Sequence, residues 1–134
     1  MNCIFCRIIN GELPARVVKE TEDAIAFLDI DPIQKGHVLV LPKRHVPDLT
    51  DMTREENMVV MSVCQDVMHS IRRYYSAESI TIMQNNGACM DVPHVHFHII
   101  PRFSGDGFKL VEPDSEVSDL EMDEIARQLI SHMV

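Results

Sequence analysis

The run His94-Val95-His96-Phe97-His98-Ile99-Ile100 constrains the chain more than any other stretch. Its strict alternation is that of a strand, in which residues two apart share a face. His94, His96 and His98 then line one face over roughly 14 Å, while Val95, Phe97 and Ile99 line the opposite one and pack on the core. Histidine is not a strong strand former, and a covered imidazole needs a polar partner. Three such rings together concentrate groups that titrate near neutrality, which suits metal binding or proton and phosphoryl chemistry. The alternative is three solvent-exposed histidines on an outer sheet face.

The rest of the chain supplies a sheet for this strand. Cys3 to Ile9 reads as one or two helical turns, and Asn10 to Pro14 as a turn. Arg16 to Glu20 and Ala24 to Ile30 read as a hairpin around Thr21-Glu22-Asp23. His37 to Pro42 is a third strand, Ser79 to Gln84 a fourth, and His94 to Ile100 a fifth ended by Pro101. Thr53 and Glu56 have capping-box spacing ahead of a helix with the stripe Val60, Val63, Cys64, Val67, Met68 and Ile71. Ser118 and Glu121 repeat that spacing before a terminal helix whose stripe is Met122, Ile125, Ala126, Leu129, Ile130 and Met133. The order predicts an α+β domain: about five antiparallel strands, one long central helix and a C-terminal helix.

Charge divides the chain in two. The net charge is -9, and residues 112–134 hold seven of the 21 acidic groups with one of the 12 basic ones. Residues 1–110 therefore read as the functional domain and 111–134 as an acidic extension. Its amphipathic helix needs a surface to bury its stripe, on its own domain or on a second subunit. The acidity speaks against a nucleic-acid partner. No apolar run approaches the roughly 20 residues of a membrane span and the first residues do not read as a signal peptide, so the expected location is the cytoplasm.

The histidine run resembles the signature of the histidine triad (HIT) family of nucleotide hydrolases and transferases. Further segments match in order: Cys3 to Ile9, Ala26 to Pro32, Gly36 to His45, and Gln84-Asn85-Asn86-Gly87. The resemblance implies a HIT-like fold and a division of labour. His96 would attack the α-phosphorus of a nucleotide and form a phosphohistidine intermediate that water resolves. His98 would hold a phosphate oxygen and help the leaving group take a proton. His37 would support the triad, and Asn85 would donate to a phosphate oxygen. Asp29 would take the ribose hydroxyls, while Ile4, Phe5, Ile8, Phe27 and Ile30 would wall the base. The expected substrates are nucleoside 5′-phosphoramidates or related nucleotide derivatives, purine nucleosides foremost, with dinucleoside polyphosphates as the runner-up. A homodimer with paired sheets is implied as well.

Cys3-Ile4-Phe5-Cys6 has the spacing of a zinc half-site. Read alone, the pair is also compatible with a redox dithiol or with two packed thiols. The resemblance to zinc-carrying members of the family points to His45 and His94 as the other two ligands of a structural Cys2His2 site. Cys64 falls on the helix stripe and reads as core, whereas His69 and His132 fall on polar faces.

The chain departs from the family between Gly87 and His94. That loop is shorter than usual, with Cys89 and Met90 where a Gly-Gln pair is expected, and with Asp91 and Pro93 nearby. Met90 cannot donate to a phosphate, and Asp91 would repel one if it pointed inward. The expectation is a narrowed or weakened activity. Two other classes stay open: a non-catalytic nucleotide-binding adaptor, and a zinc hydrolase using the triad as ligands.

Overall fold

The computed structural model describes residues 2–134. Five strands form one antiparallel sheet: β1 (Val17–Glu20), β2 (Ala24–Leu28), β3 (Val38–Pro42), β4 (Ser79–Met83) and β5 (Phe97–Arg102), in the order β1-β2-β3-β5-β4. Three α-helices accompany it: α1 (Ile4–Ile9), α2 (Arg54–Tyr75) and α3 (Asp119–Ser131). The predicted α+β architecture is the one observed.

Alternation divides β2 and β3 between two cores. Ala24, Ala26, Val38 and Val40 face α2, where Val60, Val63, Cys64, Val67 and Ile71 complete the larger core with Val95, Phe97 and Ile99. The two alanines let the helix approach the sheet closely. Ile25, Phe27, Leu39 and Leu41 face the other way and pack with Cys3 and Phe5 of the N-terminal segment. Both faces of the central strands are covered, which is why β3 is buried at every position. His98 pairs with Leu39, so the histidine face lies on the second side.

Helix α2 starts where its cap predicts. The Thr53 hydroxyl accepts from the Glu56 N–H, and the Glu56 carboxylate accepts from the Thr53 N–H. Glu56 also takes an Arg44 Nη2 hydrogen bond at 2.9 Å, tying the loop that carries His45 to the helix start. At the far end of the helix, Tyr75 packs over Gly36, whose φ of +87° and lack of a side chain permit the approach.

Three strand boundaries differ from the sequence reading by two residues or more. Strand β2 stops at Leu28 because Asp29 Oδ1 accepts the Asp31 N–H at 2.9 Å, turning the chain. Strand β5 continues through Pro101, which pairs with Ile80 of β4. The β3 pairing of that strand ends at Ile99, so a proline beyond it removes no bond to β3. Ahead of β5, residues 94–96 lie outside the ladder, held by the Val95 N–H on the Val46 carbonyl at 2.7 Å. The C-terminal segment also differs from a buried element: residues 109–134, α3 included, are exposed throughout. Among the described residues, no helix is long and apolar enough to cross a membrane.

Candidate active site and metal cluster

The alternating histidines are buried, not displayed on an outer face. His94, His96 and His98 are 0%, 3% and 8% exposed, and His37, just ahead of β3, is 1% exposed. Each finds a partner, and the partners set the tautomers, because a backbone N–H can only donate and a carbonyl can only accept.

The relay begins at Ile33, whose N–H donates to His37 Nδ1 at 3.0 Å. His37 therefore carries its proton on Nε2 and donates it to His98 Nδ1 at 2.9 Å. Neutral His98 is left with an N–H at Nε2. Asp29 Oδ2 lies 3.6 Å from His37 Nε2 and steadies the same proton. Burial, aided by the neighbouring His96 and His37 rings, lowers the His98 pKa to about 4. Burial also lowers that of His37, against the pull of Asp29. Both rings stay neutral at physiological pH, so the relay is made of hydrogen bonds between uncharged groups.

His96 has the opposite arrangement. Its Nδ1 donates to the His94 carbonyl at 2.7 Å, which turns Nε2 to the cavity, where Asp91 Oδ1 lies 3.3 Å away. Phe5 packs edge-on against the ring, with centroids 5.0 Å apart. The ring borders a cavity of about 370 Å³, within the usual range for small-molecule sites. Of the residues expected to hold a nucleotide, Ile4, Phe5, Ile8, Phe27, Asp29, Ile30, His96 and His98 all line this cavity. Asn85 does not line it, and the side-chain bonds of its turn belong to Asn86 and Gln84. The sequence reading missed Leu13, Pro14, Ala15, Leu28, Leu39 and Val92, which complete the walls together with Asp91. The Leu13-Pro14 turn had been legible only as a turn, and nothing in it marks a binding wall. A second cavity of about 350 Å³ lies between β1 and α2, away from the histidines.

The third histidine belongs to a different cluster. His94 Nε2 donates to the Pro42 carbonyl at 2.7 Å, so its Nδ1 lone pair faces Cys3 Sγ and Cys6 Sγ, each at 3.6 Å. Cys6 Sγ also lies 3.4 Å from His45 Nδ1. The ligand atoms of Cys3, Cys6, His45 and His94 lie within 4.8 Å of one another and could hold a metal ion. Burial, together with the adjacent Cys3, raises the Cys6 pKa when no cation is present. Burial lowers that of His94, leaving it a neutral ligand. Asp29, His37 and His98 also converge, but the relay already engages them. Among the described residues the three triad rings do not converge on one point, since His96 belongs to neither cluster. Cys64 is a core residue whose thiol burial pushes up to about 12, and Cys89 is exposed.

Buried histidines alternating along one segment, a fourth hydrogen-bonded to the last of them, and a mostly apolar cleft beside them on one antiparallel sheet are the marks of a histidine-triad protein. The HIT domain profile matches residues 10–105, and the chain belongs to that family. Adenosine 5′-monophosphoramidase hnt1 of Schizosaccharomyces pombe is 40% identical over 107 residues, covering 76% of this chain and 75% of the relative. The crystal structure of a HIT family member from Bacillus subtilis superposes with a TM-score of 0.93 at 33% identity, covering 100% of this chain and 99% of the other. A zinc-bound histidine triad protein from Mycobacterium smegmatis superposes with a TM-score of 0.76 at 36% identity, covering 99% of each chain.

Proposed function

We propose that this protein hydrolyses nucleoside 5′-phosphoramidates at the α-phosphorus, with His96 as nucleophile. The observation that carries the reading is the His96 tautomer: Nδ1 is committed to the His94 carbonyl, and the Nε2 lone pair is left at the cavity. Attack by Nε2 forms the N–P bond as the bond to the leaving amine breaks, and the amine nitrogen takes a proton from solvent that the water of the next step gives back. Water then adds to phosphorus and the N–P bond breaks, returning the lone pair to Nε2 and releasing a nucleoside 5′-monophosphate. His98 contributes its Nε2 proton as a hydrogen bond, either to a phosphate oxygen where charge accumulates or to the departing nitrogen. The base, a purine in the first instance, would lie among Ile4, Phe5, Ile8, Phe27 and Ile30. The ribose hydroxyls would meet Asp29. Asn85 would have to rotate inward to reach a phosphate oxygen.

The cysteine–histidine cluster fits zinc. A tetrahedron with Zn–S near 2.3 Å and Zn–N near 2.05 Å has S···N edges of roughly 3.5 Å. The sulfur–nitrogen distances here are 3.4 and 3.6 Å. Four protein ligands leave no open position, so the metal would hold the N-terminal segment against the strand beside His96 and take no part in the chemistry. Residues 1–110 would carry the activity and 111–134 would form an appended arm. β4 is an edge strand with Ile82 exposed, and pairing through it would give a homodimer with one extended sheet. Such a protein would work in the cytoplasm on small nucleotides.

The test is AMP release from adenosine 5′-phosphoramidate by the wild-type chain and by His96→Ala. Release that collapses in the variant supports the reading. Binding without release, equal in both proteins, would instead identify a nucleotide-binding adaptor.

A further inference from the structure

Asp91 stands at the reactive end of the cavity and has no part in the mechanism above. Its Oδ1 lies 3.3 Å from His96 Nε2, and the same oxygen accepts the Val92 N–H at 3.1 Å. The side chain is 81% exposed, so it is free to swing while its backbone stays at the cavity rim. In an in-line displacement, a nitrogen leaving phosphorus stands roughly 4 Å from the attacking atom. The Asp91 carboxylate thus occupies almost the distance of a leaving atom, and a bound substrate would push it aside, next to the leaving group.

The cavity lining adds an independent observation. It contains two carboxylates, Asp29 and Asp91, and no lysine or arginine. A polyphosphate or carboxylate leaving group would find no cation there, and Asp91 would repel it. An aminoalkyl leaving group with a second, protonated amine would find a counter-charge.

We infer that Asp91 selects the leaving group by charge, favouring phosphoramidates of diamines or other cationic amines over those with anionic leaving groups. This rests on the hydrolase reading above and narrows its substrate class. It also places dinucleoside polyphosphates among the poor substrates, because their leaving group is a nucleotide anion. Two unit charges about 6 Å apart in near-aqueous surroundings change a rate roughly threefold, so the cation-to-anion ratio shifts about tenfold at low ionic strength.

The experiment compares kcat/KM for three adenosine 5′-phosphoramidates, those of ethylenediamine, ethylamine and β-alanine, using the full-length protein. Asp91→Asn should lower the ethylenediamine-to-β-alanine ratio about tenfold, Asp91→Lys should lower it further, and high salt should shrink the ratio in wild type more than in Asp91→Asn. Taking each ratio against wild type cancels intrinsic differences among the three P–N bonds. AMP release that depends on His96 but has the same ratio in wild type and Asp91→Asn overturns this inference and leaves the hydrolase reading standing. Absence of His96-dependent release from all three substrates overturns both.

Discussion

Acid should destabilise this fold through His98, and the size of the effect follows from its setting. The ring is buried against His37 and His96, and its pKa is held at about 4 against an ordinary value of 6.5. Between those values the unfolded chain binds a proton that the native chain refuses, so unfolding becomes easier as pH falls. The His98 contribution is complete above about pH 6.5 and is lost as pH falls toward 4. At about 1.36 kcal/mol per pKa unit the full loss is on the order of 3 kcal/mol, of which about 2 kcal/mol has gone by pH 5. With a urea m-value of about 2 kcal/mol/M, that lowers the midpoint by about 1 M. Urea unfolding followed by circular dichroism at pH 7.5 and 5.0, with chelator present throughout, measures it. His98→Asn is the reference, because its amide oxygen can still accept the His37 proton but does not titrate. Losses from carboxylates and from His94 are common to both proteins and cancel in the difference. Wild type should lose about 2 kcal/mol more than His98→Asn between the two pH values. Equal losses would refute the argument that a neutral, buried His98 carries the acid sensitivity.

Other perturbations test other links. Gly36→Ala places a Cβ 2.5 Å from Tyr75 Cε2 at a φ of +87°, and a thermal melt should show a loss of about 2 kcal/mol. Trimming Tyr75 in the same chain should relieve the clash but leave the backbone penalty. Thr53→Ala removes the hydroxyl that accepts the Glu56 N–H and should cost about 1 kcal/mol in denaturant unfolding, whereas Thr53→Ser should cost less. Cys6→Ser or His45→Ala should lower bound zinc, measured by atomic absorption, and lower the melting temperature, while Cys89→Ser should keep the wild-type zinc content. Undiminished zinc in Cys6→Ser would count against the assigned ligand set.

Much of the site was legible because its positions are tied to periodicity. Alternation placed His94, His96 and His98 on one side, with Val95, Phe97 and Ile99 on the other, and the cores divide in that way. The cap at Thr53 and the stripe through Val60 and Val67 fixed α2 for the same reason: local spacing determines them. What was not legible depends on contacts between distant segments. Leu13 and Pro14 become a cavity wall only because α1 folds back across β2 and β3. Pro101 stays in β5 only because β3 ends before it reaches that residue. The exposed stripe of α3 is a further case: a hydrophobic period shows that a helix has an apolar side, but it does not supply the surface that would cover it.

The triad also separates what a side-chain pattern determines from what the backbone determines. Three identical rings at equal spacing end in two tautomers and with three different sets of partners. His94 gives its Nε2 proton to the Pro42 carbonyl and turns Nδ1 toward sulfur. His96 gives its Nδ1 proton to the His94 carbonyl and turns Nε2 toward the cavity. His98 receives at Nδ1 because His37 was itself fixed by the Ile33 N–H, five residues before Val38 begins β3. In each case a main-chain group that cannot change its donor or acceptor character decides which nitrogen is free. The His94 carbonyl joins the two clusters, since the residue whose ring faces the cysteines also orients the neighbouring ring at the cavity. Loosening His94 should therefore disturb His96 without any direct contact between the metal ligands and the bound nucleotide.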